Sequence, residues 1–155
     1  PAGSPIRPVK TARSATCTQV QTWLLMRSLG TAGLRYERQC QNAMALAGAL
    51  SRHPAVRSVR YPGLPDDPAH TVAVAQMRRF GGLVSIELAG AEAVAQLVER
   101  SELLVAATSF GGIHTSVDRR ARWGDAVPAG FARISLGIED TDDLLADFEQ
   151  ALDQT

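Results

Sequence analysis

The chain has 155 residues, of which 45% are hydrophobic and 21% are charged, with sixteen basic and sixteen acidic side chains. This length and composition predict one globular domain with its own core, and the zero net charge argues against nucleic-acid binding and a membrane-surface role. We find no apolar run long enough to span a bilayer and no signal peptide, so we expect a cytoplasmic protein.

The first fifteen residues are rich in proline and serine, which is typical of a linker or of the start of a chain fragment. They contain Lys10, the only lysine of the sequence. Cys17 and Cys40 lie apart in helical patterns, with the spacing of neither a disulfide framework nor a metal site. We therefore expect two buried or half-buried thiols and no bound metal.

Hydrophobic periodicity then divides the chain into alternating helices and strands. The stretch from Cys17 to His53 has the pattern of two helices, or of one kinked helix broken near Gly30–Gly33. Further helices are predicted over His70–Arg79, Glu92–Arg100 and Thr141–Leu152, and strands over Val56–Arg60, Leu83–Ala89, Leu103–Ala107 and Phe131–Leu136. This order predicts an α+β fold, in which helices cover a small, mixed and mainly antiparallel sheet.

The strand Phe131–Leu136 carries an arginine where the alternation predicts a half-buried face. Phe131, Arg133 and Ser135 point to one side of this strand. The guanidinium is always charged and presents a planar fork of donors that matches a carboxylate, so burying it calls for an anion. Arg133 either pairs with a surface Asp or Glu of the same chain or binds an acidic ligand.

A glycine-rich loop follows the strand predicted over Leu103–Ala107. The sequence Thr108-Ser-Phe-Gly-Gly112 places hydroxyls and free backbone N–H groups where that strand ends. Ligand sites are common at such positions, although Gly111 and Gly112 are equally consistent with a simple turn.

Four motifs, in this order, resemble the C-terminal domain of the Cys/Met-metabolism family of pyridoxal-phosphate (PLP) enzymes. This family includes cystathionine γ-synthase, γ-lyase and β-lyase and methionine γ-lyase. The motifs are Tyr61-Pro-Gly-Leu64, Phe80-Gly-Gly-Leu-Val-Ser-Ile-Glu-Leu88, Thr108-Ser-Phe-Gly-Gly112 and Arg133-Ile-Ser-Leu-Gly-Ile-Glu-Asp-Thr-Asp-Asp-Leu144. The resemblance begins near Cys17, so we divide the chain into a linker or fragment start, residues 1–15, and a C-terminal domain, residues 16–155.

The resemblance implies roles for three residues. Arg133 occupies the position of the arginine that binds the α-carboxylate of the amino-acid substrate, and Ser109 that of the serine beside this carboxylate. His114 lies in a stretch that is shorter than in many members and lacks their Pro-x-x-Met-Thr-His element. It is a candidate for the rim of the substrate pocket, or else a loop histidine bound to backbone.

The resemblance also implies a cofactor that this chain does not hold by itself. Relatives bind PLP mainly in a large N-terminal domain, through a lysine bonded to the cofactor and a phosphate cup. Lys10 lacks the surroundings of that lysine, so we expect no catalytic residue in this stretch and no activity from it alone. The implied partners are that N-terminal domain, an amino-acid substrate and further subunits of a homo-oligomer, typically a tetramer.

Three interpretations remain open at this point. The chain is part of a PLP-dependent enzyme of sulfur amino-acid metabolism, γ-lyase-like or γ-synthase-like. Alternatively, it is a free-standing, non-catalytic binding or assembly module derived from that family. The third alternative is an unrelated carboxylate-binding α+β domain.

Overall fold

The computed structural model describes residues 18–153, which belong to two compact units divided between Ala32 and Gly33. The first unit contains helix α1, Gln19–Leu29. A capping box begins this helix: the Gln21 N–H donates to Thr18 Oγ1 at 3.3 Å, and the Thr18 N–H donates to Gln21 Oε1 at 2.9 Å. The apolar side chains of α1 are exposed; they are Val20, Trp23, Leu24, Leu25, Met26 and Leu29.

The second unit has the predicted α+β architecture, a five-stranded sheet with helices. Its helices are α2 (Ala32–Leu50), α3 (His70–Gln76), α4 (Ala91–Arg100), a 3-10 helix (Arg120–Trp123) and α5 (Thr141–Asp153). Its strands are β1 (Ser58–Arg60), β2 (Leu83–Glu87), β3 (Val105–Ala106), β4 (Ser116–Arg119) and β5 (Phe131–Ser135). None of the helices described here is long and apolar enough to cross a membrane.

The sheet has the strand order β1-β2-β5-β4-β3, and only the β3–β4 pair is parallel. Val84, Ile134 and Val117 lie opposite one another on β2, β5 and β4, and all three are buried. They form one core with helical side chains, among which are Leu46, Leu97, Leu144 and Phe148. The next row along the same strands is polar and consists of Ser85, Arg133 and Asp118.

Most predicted elements are confirmed, and the differences have local causes. The strand predicted over Leu103–Ala107 contains only Val105 and Ala106, because the Leu103 N–H donates to Asp147 and the Leu104 N–H to Ser101. These backbone donors are therefore not available to a neighbouring strand. Helix α3 ends at Gln76, since Met77 is extended, with φ −118° and ψ 136°.

The stretch after the glycine-rich loop contains a strand and a 3-10 helix that the sequence did not reveal. The sequence predicted no helix or strand between this loop and Phe131, whereas the structure has β4 and the Arg120–Trp123 helix. β4 is four residues long and three of them are polar, so it lacks a recognisable apolar alternation. Cys40 is buried, as predicted; Cys17, Lys10 and the proposed linker, residues 1–15, lie outside the described residues.

Asp147 of α5 forms hydrogen bonds with the turn that follows α4. Its carboxylate accepts hydrogen bonds from the Ser101 hydroxyl, from the backbone N–H groups of Glu102 (2.9 Å) and Leu103 (3.2 Å), and from Gln150 Nε2 (3.1 Å). Burial by itself raises the pKa of Asp147, but the Ser101 and backbone hydrogen bonds outweigh it and hold that pKa below its usual value.

The Asp147→Asn variant is expected to lose about 2 kcal/mol of unfolding free energy at pH 7, the typical value of hydrogen bonds to a charged group. The folded-state pKa is depressed, so this contribution is complete above the unfolded value of about 3.9 and is lost as the pH falls through the folded value. Urea unfolding at pH 7 and near pH 3 measures both effects. The exposed Glu149 of the same helix supplies the control variant, Glu149→Gln; equal losses in the two variants would contradict this role of Asp147.

Candidate functional site

Arg133 lies in the middle of β5, on the face of the strand that the alternation predicted. The neighbouring residues Ala132 and Ile134 are fully buried in the core, so Arg133 points to the opposite side of the sheet. Its side chain is 32% exposed. The guanidinium carbon lies 4.4 Å from the centre of the Phe110 ring, a cation–π contact between the strand and the glycine-rich loop.

The intramolecular partner of Arg133 is Asp118, which the sequence analysis did not identify. Asp118 is its cross-strand neighbour on β4, and Arg133 Nη2 lies 3.6 Å from Asp118 Oδ2. One of the two alternatives was a surface Asp or Glu of the same chain; the carboxylate found here belongs to the same chain but is buried, since the Asp118 side chain is 0% exposed. Non-local strand pairing creates this contact, and the only local signal was an acidic residue in a basic stretch.

Three further donors contact the Asp118 carboxylate. Arg120 Nη1 lies 3.2 Å from Oδ2, Arg122 Nη2 lies 3.1 Å from Oδ1, and Trp123 Nε1 donates to Oδ1 at 3.1 Å. Burial by itself raises the pKa of Asp118, but the hydrogen bonds from Trp123 and Arg120 and the charge of Arg122 hold it below its usual value. Asp118 is therefore ionised at neutral pH despite its burial.

One nitrogen of the Arg133 guanidinium has no partner. Nε is buried, and within residues 18–153 no acceptor forms a hydrogen bond with it. Leaving a buried polar group unsatisfied costs about 1–3 kcal/mol, and more for a charged group. The contact with Asp118 is made by Nη2 and does not satisfy this donor.

The glycine-rich loop is held against the end of β5 beside Arg133. The Gly111 N–H donates to Ser135 Oγ at 3.0 Å, and Gln39 Nε2 donates to the Gly112 carbonyl at 2.7 Å. Gly111 has φ +77°, a backbone conformation that glycine adopts readily and most other residues do not. These bonds fix the backbone that carries the Phe110 ring.

The far end of the loop is anchored by the turn between β5 and α5. Thr115 donates to the Glu139 carboxylate through its N–H (2.5 Å) and its hydroxyl (2.8 Å), and the Gly137 N–H donates to Thr115 Oγ1 at 2.9 Å. Asn42 Nδ2 of α2 donates to the carbonyls of Gly137 (3.2 Å) and Glu139 (3.0 Å). The loop, the turn and α2 therefore form one hydrogen-bonded support, which sequence reasoning also missed.

The structure places Ser109 and His114 on this loop, and both are exposed. Ser109 precedes Phe110, and its carbonyl accepts a hydrogen bond from Ser116 Oγ at 3.4 Å. Phe110, the residue after Ser109, is the loop residue that contacts Arg133. His114 lies between Ile113 and the Thr115 anchor, and its role at a pocket rim stays a prediction.

A small cleft of about 250 Å³ lies between the glycine-rich loop and α2, and Arg133 is not among its lining residues. Its lining includes Tyr36, Gln39, Phe110 and Ser135. Ligand pockets typically measure about 300–1,000 Å³, so the cleft has the size of part of a site. A larger cleft of about 420 Å³ lies between α2 and α5, and it is lined by residues of neither β5 nor the glycine-rich loop.

The described residues offer a guanidinium to an anion but no lysine amine. They contain no lysine, because the only lysine of the chain is Lys10, so none of them can bond to PLP through an amine. Within residues 18–153 there is also no group of three His, Cys, Asp or Glu side chains that could hold a metal ion. The chemistry available here is the binding and orientation of an anion.

Comparison with known proteins gives consistent matches. Residues 4–153 match the family model described as Cys/Met metabolism PLP-dependent enzyme. A putative cystathionine γ-lyase of Streptomyces coelicolor is 47% identical over 88% of this chain and 35% of its own length. The cystathionine γ-synthase of Mycobacterium tuberculosis is 42% identical over 84% of this chain and 36% of its own length.

A solved structure matches as well. The crystal structure of metB from Corynebacterium glutamicum has a TM-score of 0.81 and 40% identity, and the match covers 87% of this chain and 37% of that one. The chain thus spans little more than a third of the length of the curated relatives it matches.

Proposed function

Because the chain belongs to the family of Cys/Met metabolism PLP-dependent enzymes, we propose that it is the C-terminal domain of such an enzyme. The whole protein would act on a sulfur-containing amino acid as a cystathionine γ-lyase or γ-synthase. In this proposal the domain binds the α-carboxylate of the substrate through Arg133. Ser109 contributes to the same subsite, and His114 lies at its rim.

The observation that carries this proposal is the state of the Arg133 guanidinium. It is partly buried, and among residues 18–153 one of its nitrogens is buried without a hydrogen-bond partner and its one ion-pair partner, Asp118, lies 3.6 Å away. A substrate carboxylate would supply charge-assisted hydrogen bonds, which are about twice as strong as neutral ones. The Phe110 ring and the anchored loop hold the fork in one orientation, and this supports a positioning role.

PLP, when bound in the whole enzyme, would supply an electron sink. We propose that a further N-terminal domain holds PLP, since no lysine lies within residues 18–153. In this proposal the described residues take part through substrate orientation, and the chain alone is inactive. In this proposal Arg133 orients the bound substrate through its carboxylate.

We also propose that this domain contacts further polypeptide, which would be its own N-terminal domain and other subunits of a homo-oligomer. The exposed apolar side chains of α1 support this, because contiguous apolar surface commonly marks protein–protein contacts. Trp23 and Met26 are 58% and 68% exposed.

A test of the carboxylate subsite compares two substrates in the full-length protein. We expect kcat/KM to be about tenfold higher for the amino-acid substrate of the full-length protein than for its analogue in which the reacting α-carboxylate is a carboxamide, since the neutral group forms weaker hydrogen bonds with the guanidinium. In the Arg133→Ala variant this preference should fall to about twofold or less. Equal kcat/KM values for both substrates in the unmodified protein would refute the proposed role of Arg133.

A further inference from the structure

Three guanidinium groups lie close to the buried Asp118 carboxylate. Arg120, Arg122 and Arg133 lie 3.1–3.6 Å from its oxygens, and Asp118 itself is 0% exposed. A second carboxylate, Asp125, pairs with Arg120 at 2.6 Å. Three positive charges therefore face two negative ones, and the assembly keeps one positive charge in surplus.

The three arginines are not held equally. Arg120 and Arg122 lie 3.2 and 3.1 Å from the carboxylate, while the 3.6 Å separation of Arg133 exceeds the usual length of about 2.7–2.9 Å for a charge-assisted hydrogen bond. The Trp123 indole occupies a further acceptor position on Oδ1. Asp118 therefore lies close enough to attract the Arg133 guanidinium, but it does not occupy all of the N–H donors of Arg133.

Two contacts restrict the position of the Arg133 guanidinium. Asp118 is the cross-strand partner of Arg133 on β4, and the Phe110 ring lies against the guanidinium at 4.4 Å. The Asp118 position is itself fixed by β4 and by the Arg120–Trp123 helix that follows it. The fork is thus held between a buried anion and an aromatic ring.

We infer that Asp118 is a positioning residue, which orients the Arg133 guanidinium for the substrate α-carboxylate and leaves one positive charge for that carboxylate to neutralise. This inference rests on the proposed function. Without the anion, Arg120, Arg122 and Arg133 would repel one another across a few ångströms, and the fork would leave its place beside Phe110.

The Asp118→Asn variant of the full-length enzyme tests this inference, since asparagine keeps the shape and an acceptor for Trp123 but removes the charge. We expect the KM for the amino-acid substrate to rise about tenfold, with kcat changed by about twofold or less, because a misplaced fork weakens substrate binding. In the Arg133→Ala background the same substitution should leave KM unchanged, because its effect passes through Arg133. The exposed Asp66 gives the control variant, Asp66→Asn.

A purely structural role for Asp118 predicts a different result. Asp118→Asn would then lower stability in urea but change KM equally in the presence and absence of Arg133, and this outcome, or an unchanged or lowered KM, overturns the inference. If Asp118→Asn does not fold, Trp123→Phe decides, since it removes only one donor to Asp118. A KM increase of about threefold that disappears in the Arg133→Ala background supports the inference, and an unchanged KM overturns it.

The results also separate this inference from the proposed function. If Arg133→Ala leaves KM unchanged, the carboxylate subsite itself is refuted. If Arg133→Ala raises KM while Asp118→Asn does not, the subsite stands and only the positioning role of Asp118 is refuted.

Discussion

Replacing Arg133 by alanine in the full-length protein is expected to raise the KM for the amino-acid substrate about 100-fold while leaving the PLP content unchanged. Truncating one partner of a hydrogen-bonded charge pair typically costs 2–5 kcal/mol, and each 1.36 kcal/mol corresponds to a factor of ten. Phe110 and Asp118 already hold the guanidinium, so little ordering free energy offsets its contribution. Steady-state kinetics and cofactor absorbance measure the two quantities.

The Arg133→Lys variant should lie between alanine and the unmodified protein. Lysine keeps the charge but not the planar fork, and its ammonium cannot form two parallel hydrogen bonds with one carboxylate. We expect a KM increase of about tenfold, since the charge-assisted contact is partly kept. A lysine variant as impaired as alanine would mean that the geometry of the fork, and not its charge, dominates binding.

Arg57→Ala provides the control for both substitutions. Arg57 is exposed and precedes the edge strand β1, so its loss should leave KM unchanged. The carboxylate-binding role of Arg133 would be disproved by wild-type KM in Arg133→Ala, or by a loss of PLP that accounts for the whole decrease in activity.

The orientation of Arg133 could be predicted from the sequence, whereas its partner Asp118 could not, because the first depends on neighbouring residues and the second on contacts between distant segments. The alternation of Phe131–Leu136 is local and places Arg133 on the face opposite the buried Ala132 and Ile134. Asp118 becomes its neighbour only through the pairing of β4 with β5, two strands that a helical turn and a loop separate. Strand register depends on tertiary structure, and the sequence of a four-residue, mostly polar strand does not predict which residues it pairs with.

The hydrogen bonds that support the glycine-rich loop could not be predicted from the sequence either. The motif Thr108-Ser-Phe-Gly-Gly112 was consistent with a ligand-site loop or with a simple turn, and in the structure its Phe110 ring lies against Arg133. Its anchors, however, join Asn42 to Gly137 and Glu139, residues about a hundred positions apart. Each anchor is an ordinary polar residue in its own segment, so no local pattern distinguished it.

Substituting alanine for Gly137 is expected to lower the free energy of unfolding by about 3 kcal/mol, at the upper end of the usual cost of an overpacked position. A Cβ at this position would meet the Ile113 carbonyl and the Glu139 carboxylate. Neither can move freely, since Ile113 accepts the Ile138 N–H at 2.9 Å and Glu139 binds Thr115. Urea unfolding measures the loss of stability.

The strain from Gly137→Ala should also loosen the candidate site, because Gly137 joins the turn to the loop. Relieving the clash separates Ile113 from Ile138, and we expect faster hydrogen exchange of the Ile138 and Thr115 amides together with a higher KM. Gly33→Ala is the matched control: its Cβ meets no atom within 4 Å, and alanine in a helix is favoured over glycine by about 0.5–1 kcal/mol. The same substitution should therefore stabilise one position and destabilise the other. If Gly137→Ala were as stable as the unmodified protein, the turn would tolerate a side chain, and the loop would owe its position to the Ser135 and Gln39 contacts instead.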